Sequence, residues 1–114
     1  MNNLNSILVE GNLVQDPVLK TTTKGTTVCT FSIASNRFFS GSGGEAEKEV
    51  SFFDVETWAR LAENCNNIGK KGRGVRVVGR LKQERWVSSD GKQNSKIVIV
   101  AEHVEFKPTM NKEE

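Results

Sequence analysis

Apolar residues in this chain recur mostly at every second position, and in one stretch at helical spacing. The first run, Ser6 to Val14, reads as a strand with a bend or bulge at Gly11. Asp16-Pro17 marks a turn, Val18 to Thr23 continues as an extended segment, and Lys24-Gly25 makes the next turn. Thr26 to Ser35 is a second strand, with Cys29, Phe31 and Ile33 inward and Thr30 and Ser32 outward. Ser40 to Glu45, rich in Gly and Ser, is a flexible loop within the domain because both its flanks are strand-like. Val50 to Thr57 is a third strand. Phe53, Val55 and Thr57 share one face; Phe52, Asp54 and Glu56 share the other, with Trp58 following in phase.

The period then changes. Trp58, Leu61, Ala62, Cys65 and Ile68 follow the stripe of an amphipathic helix, and Gly69 is a fitting stop. A basic turn, Lys70 to Gly74, leads into a fourth strand, and Ser88-Ser89-Asp90-Gly91-Lys92 is a hairpin tip marked by Asp-Gly. Residues 96 to 106 form a fifth strand, and Pro108 closes the domain. The order βββ-α-ββ is that of the OB-fold, an all-β, five-stranded Greek-key barrel that binds oligonucleotides and oligosaccharides on an open face and in its loops. An α+β sandwich is the competing architecture.

The fourth strand says most about chemistry. From Val75 to Trp86 it alternates, with Val75, Val77, Gly79 and Leu81 on the inward face. Its other face carries Arg76, Val78, Arg80, Lys82, Glu84 and Trp86. A cationic row ending in an indole suits a polyanion with flat rings: phosphates pair with Arg and Lys, and unpaired bases lie on aromatic faces. A solvated outer face, with Trp86 covering a hairpin end, explains the same pattern without a ligand.

Size and composition narrow the choice. With 114 residues the chain makes one small domain, placed here at residues 1 to 108, with 109 to 114 a short disordered C-terminal remnant. No apolar run approaches the ~18 residues of a membrane span, and Met1-Asn2-Asn3-Leu4 lacks the regions of a signal peptide, which points to the cytosol. Cys29 and Cys65 lie far apart with no CxxC, and the lone His103 has no metal-site spacing to either. Both cysteines read as small core fillers and His103 as structural, so no metal and no cofactor is expected. Net charge is only +2, but it is segregated: residues 60 to 96 hold ten Lys or Arg against three acids, and the remainder holds six against eleven. Solubility alone does not require that asymmetry.

Among the aromatics, Phe31 and Phe53 point inward by alternation, and Phe106 is a third core candidate. Phe52 and Trp86 project outward, Phe38-Phe39 lies at the mouth of the long loop, and Trp58 belongs to either the strand face or the helix stripe. Exposed rings are costly unless a loop, a subunit or a ligand covers them. The best phosphate partners are Arg85 beside Trp86, then Lys82, Arg80, Arg60 and Lys71; Arg73, Lys92 and Lys96 equally suit ordinary solvated residues.

Several of these segments together resemble the bacterial single-stranded DNA-binding proteins over residues 4 to about 106. Asn5 to Pro17, with Gly-Asn-Leu followed after a spacer by Asp-Pro, is similar to that family's opening strand. Phe31-Ser32-Ile33-Ala34 resembles its second strand, Arg60-Leu61-Ala62-Glu63 the start of its helix, and Val78-Gly79-Arg80-Leu81 with Arg85-Trp86 its fourth strand. The resemblance implies an OB-fold, usually a homotetramer in the nucleoid, that wraps unpaired DNA during replication, recombination and repair. It places stacking residues at Phe38, Phe52, Trp58 and Trp86, and basic contacts at Arg60, Lys71 and Arg85. The family normally carries a flexible tail with an acidic, phenylalanine-capped tip that recruits replication and repair enzymes. Here the sequence ends Met110-Asn111-Lys112-Glu113-Glu114, so recruited partners are expected only if the native chain is longer. A primosomal replication protein, a shorter, tailless and typically dimeric relative that aids helicase loading, is the alternative within this class.

Two other classes remain. A hydrolase or nuclease needs clustered carboxylates or a His-containing site; Asp54 and Glu56 share a face, but no third acid or His is in register. An oligomerisation module would bury the rings between subunits. Asp54 and Glu56 also raise a question for the DNA reading, because carboxylates among the rings repel phosphate unless the strand avoids them or cations pair with them.

Overall fold

The computed structural model describes residues 1–109. It contains β1 (Ile7–Leu13), β2 (Val18–Thr21), β3 (Thr27–Ser40), β4 (Ala46–Trp58), α1 (Ala59–Ile68), β5 (Gly74–Val87) and β6 (Gln93–Phe106). The strands follow one another as β1-β5-β6-β4-β3-β2, and β1 also pairs with β3, which closes a five-stranded barrel. All pairings are antiparallel except β4 with β6, where Val55 and Glu56 face Ile99 and Val100. This is an OB-fold; β1 and β2 are two parts of one edge interrupted around Asp16-Pro17. The extended segment expected after Pro17 is thus a strand of its own, though shorter than Val18 to Thr23. Of the expected disordered remnant, residues 110 to 114 lie outside the described residues.

Alternation builds the core as the pattern demands. Cys29, Phe31 and Ile33 of β3, Val55 and Thr57 of β4, Val75 and Val77 of β5, and Ile99 and Ala101 of β6 are buried together, and Phe53 and Phe106 pack against them. Helix α1 plugs the end of the barrel with Ala62 and Cys65, both fully buried. Thr57 is the one buried polar side chain among the described residues, and its hydroxyl donates to the Cys29 carbonyl at 2.9 Å. That bond satisfies a group whose burial otherwise costs about 1–3 kcal/mol. Both cysteines are free. Burial raises the Cys29 thiol and pushes that of Cys65 up to about 11, so both are protonated filler.

The structure corrects three expectations. Gly11 carries no bulge, since β1 pairs with β5 without a break from Ile7 to Asn12. Glycine is required there because a Cβ would stand 2.5 Å from the Ala34 carbonyl oxygen, where β1 swings across to β3. The register shift occurs instead between β5 and β6, at Val78/Gly79. Gly69 does stop the helix as expected, with φ −70, and a Cβ there would stand 2.7 Å from both the Cys65 carbonyl oxygen and Pro17 Cγ.

Finally, Leu81 is not core: it lies two residues beyond the last β1–β5 pair, Ile7 with Gly79, and is 44% exposed although its partner Ile99 is buried. Hairpins β3–β4 and β5–β6 both run past the closed barrel as two-stranded ribbons, so β3, β4 and β6 are longer than the apolar pattern alone indicates. Among the described residues no helix is long and apolar enough to cross a membrane.

The cysteine burial has a measurable consequence. The Cys65 thiol ionises near 9.0 ordinarily and about 11 when folded, so the native state keeps a proton that the unfolded chain has released. Its stabilising contribution is complete below pH 9 and is lost as pH rises through about 11. Denaturant unfolding of wild type should weaken over that window, and Cys65→Ala should lose less over the same range. Equal alkaline losses in both would contradict the assignment.

Candidate nucleic-acid interface

The residues that alternate with the core form a continuous outer face. On β3 and β4 the facing pairs are Thr30 with Glu56, Ser32 with Asp54, Ala34 with Phe52, Asn36 with Val50, and Phe38 with Lys48. Trp58 ends the same row with extended backbone (φ −125, ψ 151), which assigns it to the strand face although it precedes the helix directly. Phe38 is 72% exposed, Phe52 67% and Trp58 36%. The first two are held out on the ribbon by long-range pairing of otherwise polar sequence, where Arg37 sits 3.8 Å from Glu49 and stacks over Phe39.

The turn after Trp58 has a distinctive backbone. Ala59 has φ 57, in the left-handed region that favours glycine. This conformation turns β4 into α1 and leaves Trp58 at the corner, with Arg60 exposed beside it. Nothing in the sequence signals it.

On β5 the outward row continues as Arg80, Lys82, Glu84 and Trp86, which is 46% exposed. Arg85 lies on the opposite face of this ribbon, where its Nε and a terminal nitrogen donate to Gln83 Oε1 at 3.1 and 2.7 Å. Sequence neighbourhood with Trp86 therefore does not make it a partner of that ring. Lys71 is exposed in the α1–β5 turn, which Asp16 holds by accepting the Lys71 N–H at 2.7 Å. Thus Phe52, Trp58, Arg80, Lys82 and Trp86 share the barrel's outer side, Phe38 extends it along one ribbon, and Arg60 and Lys71 stand at its helix end. Arg76, in the cationic row by sequence, is engaged elsewhere, with Glu10 at 2.7 Å and Glu105 at 3.3 Å.

Charge on this face is mixed rather than uniformly basic. Asp54 accepts from the Ser32 hydroxyl at 2.6 Å and has Lys96 Nζ at 4.0 Å, while Glu84 has Lys82 Nζ at 3.9 Å. Of the two acids expected to oppose phosphate, Asp54 is therefore partly neutralised by a neighbouring lysine. Glu56 is different: burial and then the adjacent Glu84 carboxyl raise its pKa, against Lys82 and the Trp58 indole. A contact that sequence reasoning missed lies at the strand origin. Asn5 donates to the Leu81 carbonyl at 2.8 Å and accepts the Leu81 N–H at 2.9 Å, so its side chain acts as one more rung between the N-terminus and β5.

Comparison with known proteins identifies relatives of the whole domain. The model of the single-strand binding protein family matches residues 4–107. A single-stranded DNA-binding protein of Aquifex aeolicus is 41% identical over 89% of this chain and 68% of its own length. One from Chlorobaculum tepidum is 36% identical over 93% of this chain and 72% of its own; single-stranded DNA-binding protein A of Bacillus subtilis is 38% identical over 90% and 59%. A solved structure described as a Plasmodium falciparum SSB complex with ssDNA superposes with a TM-score of 0.86 at 22% identity, covering 95% of this chain and 98% of that one, which shows the shared fold.

The strained corner generates a prediction. Ala59→Gly should raise stability by up to ~1 kcal/mol, because release of left-handed strain outweighs the added entropy of the unfolded chain. Thermal or denaturant unfolding checks it, and a loss of stability would mean that the corner is not strained. With fold and matches in agreement, the chain belongs to the single-strand binding protein family.

Proposed function

We propose that this protein is a non-enzymatic, sequence-tolerant coating protein for single-stranded DNA, which protects the strand and removes its secondary structure during replication, recombination and repair. The observation that carries this reading is the accessibility of Phe38, Phe52, Trp58 and Trp86 along the outward rows of β3, β4 and β5. Each ring offers a stacking surface worth about 1–3 kcal/mol per base, whatever the base. Arg60, Lys71, Arg80 and Lys82 are placed to accompany the phosphates, and Arg85 serves the strand where it passes beneath the β5–β6 ribbon. Affinity then falls as salt rises, because cations released from the DNA are part of the driving force.

The same reading includes a cytoplasmic, nucleoid-associated location and self-association as a homotetramer. Family membership supports assembly, and so does the exposed Leu8 on β1, 68% accessible beside a strand edge that pairs with β3 only at Asn12 and Leu13. A dimer would favour the alternative role of the primosomal relatives that aid helicase loading. Replication and repair enzymes are partners only of a chain that carries an acidic tail.

Tryptophan fluorescence during titration with an oligo-dT tests the central step. Quenching at low salt is expected, and its absence in folded protein would reject stacking. Trp86→Ala should weaken binding by about 1–3 kcal/mol, whereas unchanged affinity would remove that ring from the site. Light scattering should give a tetramer mass; a monomer at working concentration would contradict the assembly.

A further inference from the structure

From Lys82 opposite Val98 outward, β5 and β6 pair only with each other, so Trp86 stands on a two-stranded ribbon. The root of that ribbon is the row before it, Leu81 opposite Ile99. On one side β4 grips this root, because Ile99 also pairs with Val55. On the other side β1 does not reach it, since the β1–β5 ladder ends at Ile7 with Gly79. Asn5 fills the gap from outside any strand. Its Nδ2 donates to the Leu81 carbonyl at 2.8 Å, and its Oδ1 accepts the Leu81 N–H at 2.9 Å. A primary amide can do both at once, as a backbone rung does. The root is thus held at both edges, by a strand on one and by a single side chain on the other.

We propose that Asn5 is a positioning residue for DNA binding: its two hydrogen bonds to Leu81 fix the angle of the β5–β6 ribbon, and so place the Trp86 indole relative to Phe52 and Trp58. The inference rests on the proposed reading of the outer face as the DNA-binding surface, and gives a part in it to a side chain that touches no DNA. Trp86 lies five residues beyond Leu81, about 16 Å along a strand, so a swing of about 10° at the root carries the indole about 3 Å. That is close to the thickness of a base. Phe52 and Trp58 do not move with it, because they stand on β4, whose pairing with β3 runs unbroken from Ala46 to Trp58. Loss of the Asn5 rung therefore displaces one stacking ring against the others and leaves the barrel core untouched.

A double-mutant cycle tests this, with the anisotropy of a labelled oligo-dT as the binding readout. With Trp86 present, Asn5→Ala should weaken binding at least about fivefold, the low end of what one stacked base contributes. In the Trp86→Ala background the same change should cost less than about twofold, the scatter expected of independent sites. Asn5→Asp, of the same shape, should repeat the pattern because its carboxylate accepts the Leu81 N–H but repels the Leu81 carbonyl; it guards against a folding defect of the alanine variant. In the free protein both variants should shift the indole N–H resonance of Trp86 and leave that of Trp58 in place. An equal loss in the two backgrounds would make Asn5 a general stabiliser, and no loss would make it dispensable; either result overturns the inference. A wild type that fails to bind the oligomer would instead bring down the DNA-binding reading on which it stands.

Discussion

Two-residue alternation of β3 and β4 is the constraint on which the rest depends. Cys29, Phe31, Ile33, Val55 and Thr57 must face inward because together they make the core. A slip of one residue would bury the outer row and expose the inner one, at a cost of about 1.5–3 kcal/mol for each large apolar side chain displaced. The core therefore fixes the register, and the register aims Phe38, Phe52 and Trp58 outward. The rings need no stabilising role of their own to be held in place.

Charge works over the same scaffold at shorter range. The excess of cations between residues 60 and 96 does not become a uniform basic surface, since Arg76 turns to Glu10 and Glu105 and Lys96 turns to Asp54. Exposed pairs of this kind contribute little to stability, so phosphate competes for the lysines at small cost. What remains on the face is a set of rings with local cations, interrupted by the Glu56 carboxyl, whose Oε1 is buried without a hydrogen-bond partner. Such a surface suits a flexible polyanion that can adjust its backbone around each ring.

Most of the architecture was legible in the sequence because its signals are local. Apolar alternation, the Asp90-Gly91 turn and the helical stripe through Ala62 and Cys65 locate the barrel strands and the helix. The ribbons have no such signal: residues 36 to 40 and 46 to 49 lack apolar alternation and owe their strand conformation to pairing across the hairpin. The exposure of Leu81 has no local signal, since alternation does not tell where the neighbouring strand β1 ends. In the candidate site, Phe52 and Trp86 could be assigned from parity alone. Trp58 required the backbone of the corner at Ala59, and the facing of Glu56 and Glu84 across two hairpins has no sequence signature.

The central claim, that an unpaired strand lies on the outer face of β3, β4 and β5, is tested most directly by chemical-shift mapping. Labelled protein would be titrated with a short single-stranded oligonucleotide while backbone amide, aromatic and indole resonances are followed. Shifts should concentrate at Phe38, Phe52, Trp58, Arg80, Lys82 and Trp86. A response confined to β1 and the residues beside it, around Leu8, Val78 and His103, would show that the strand lies elsewhere.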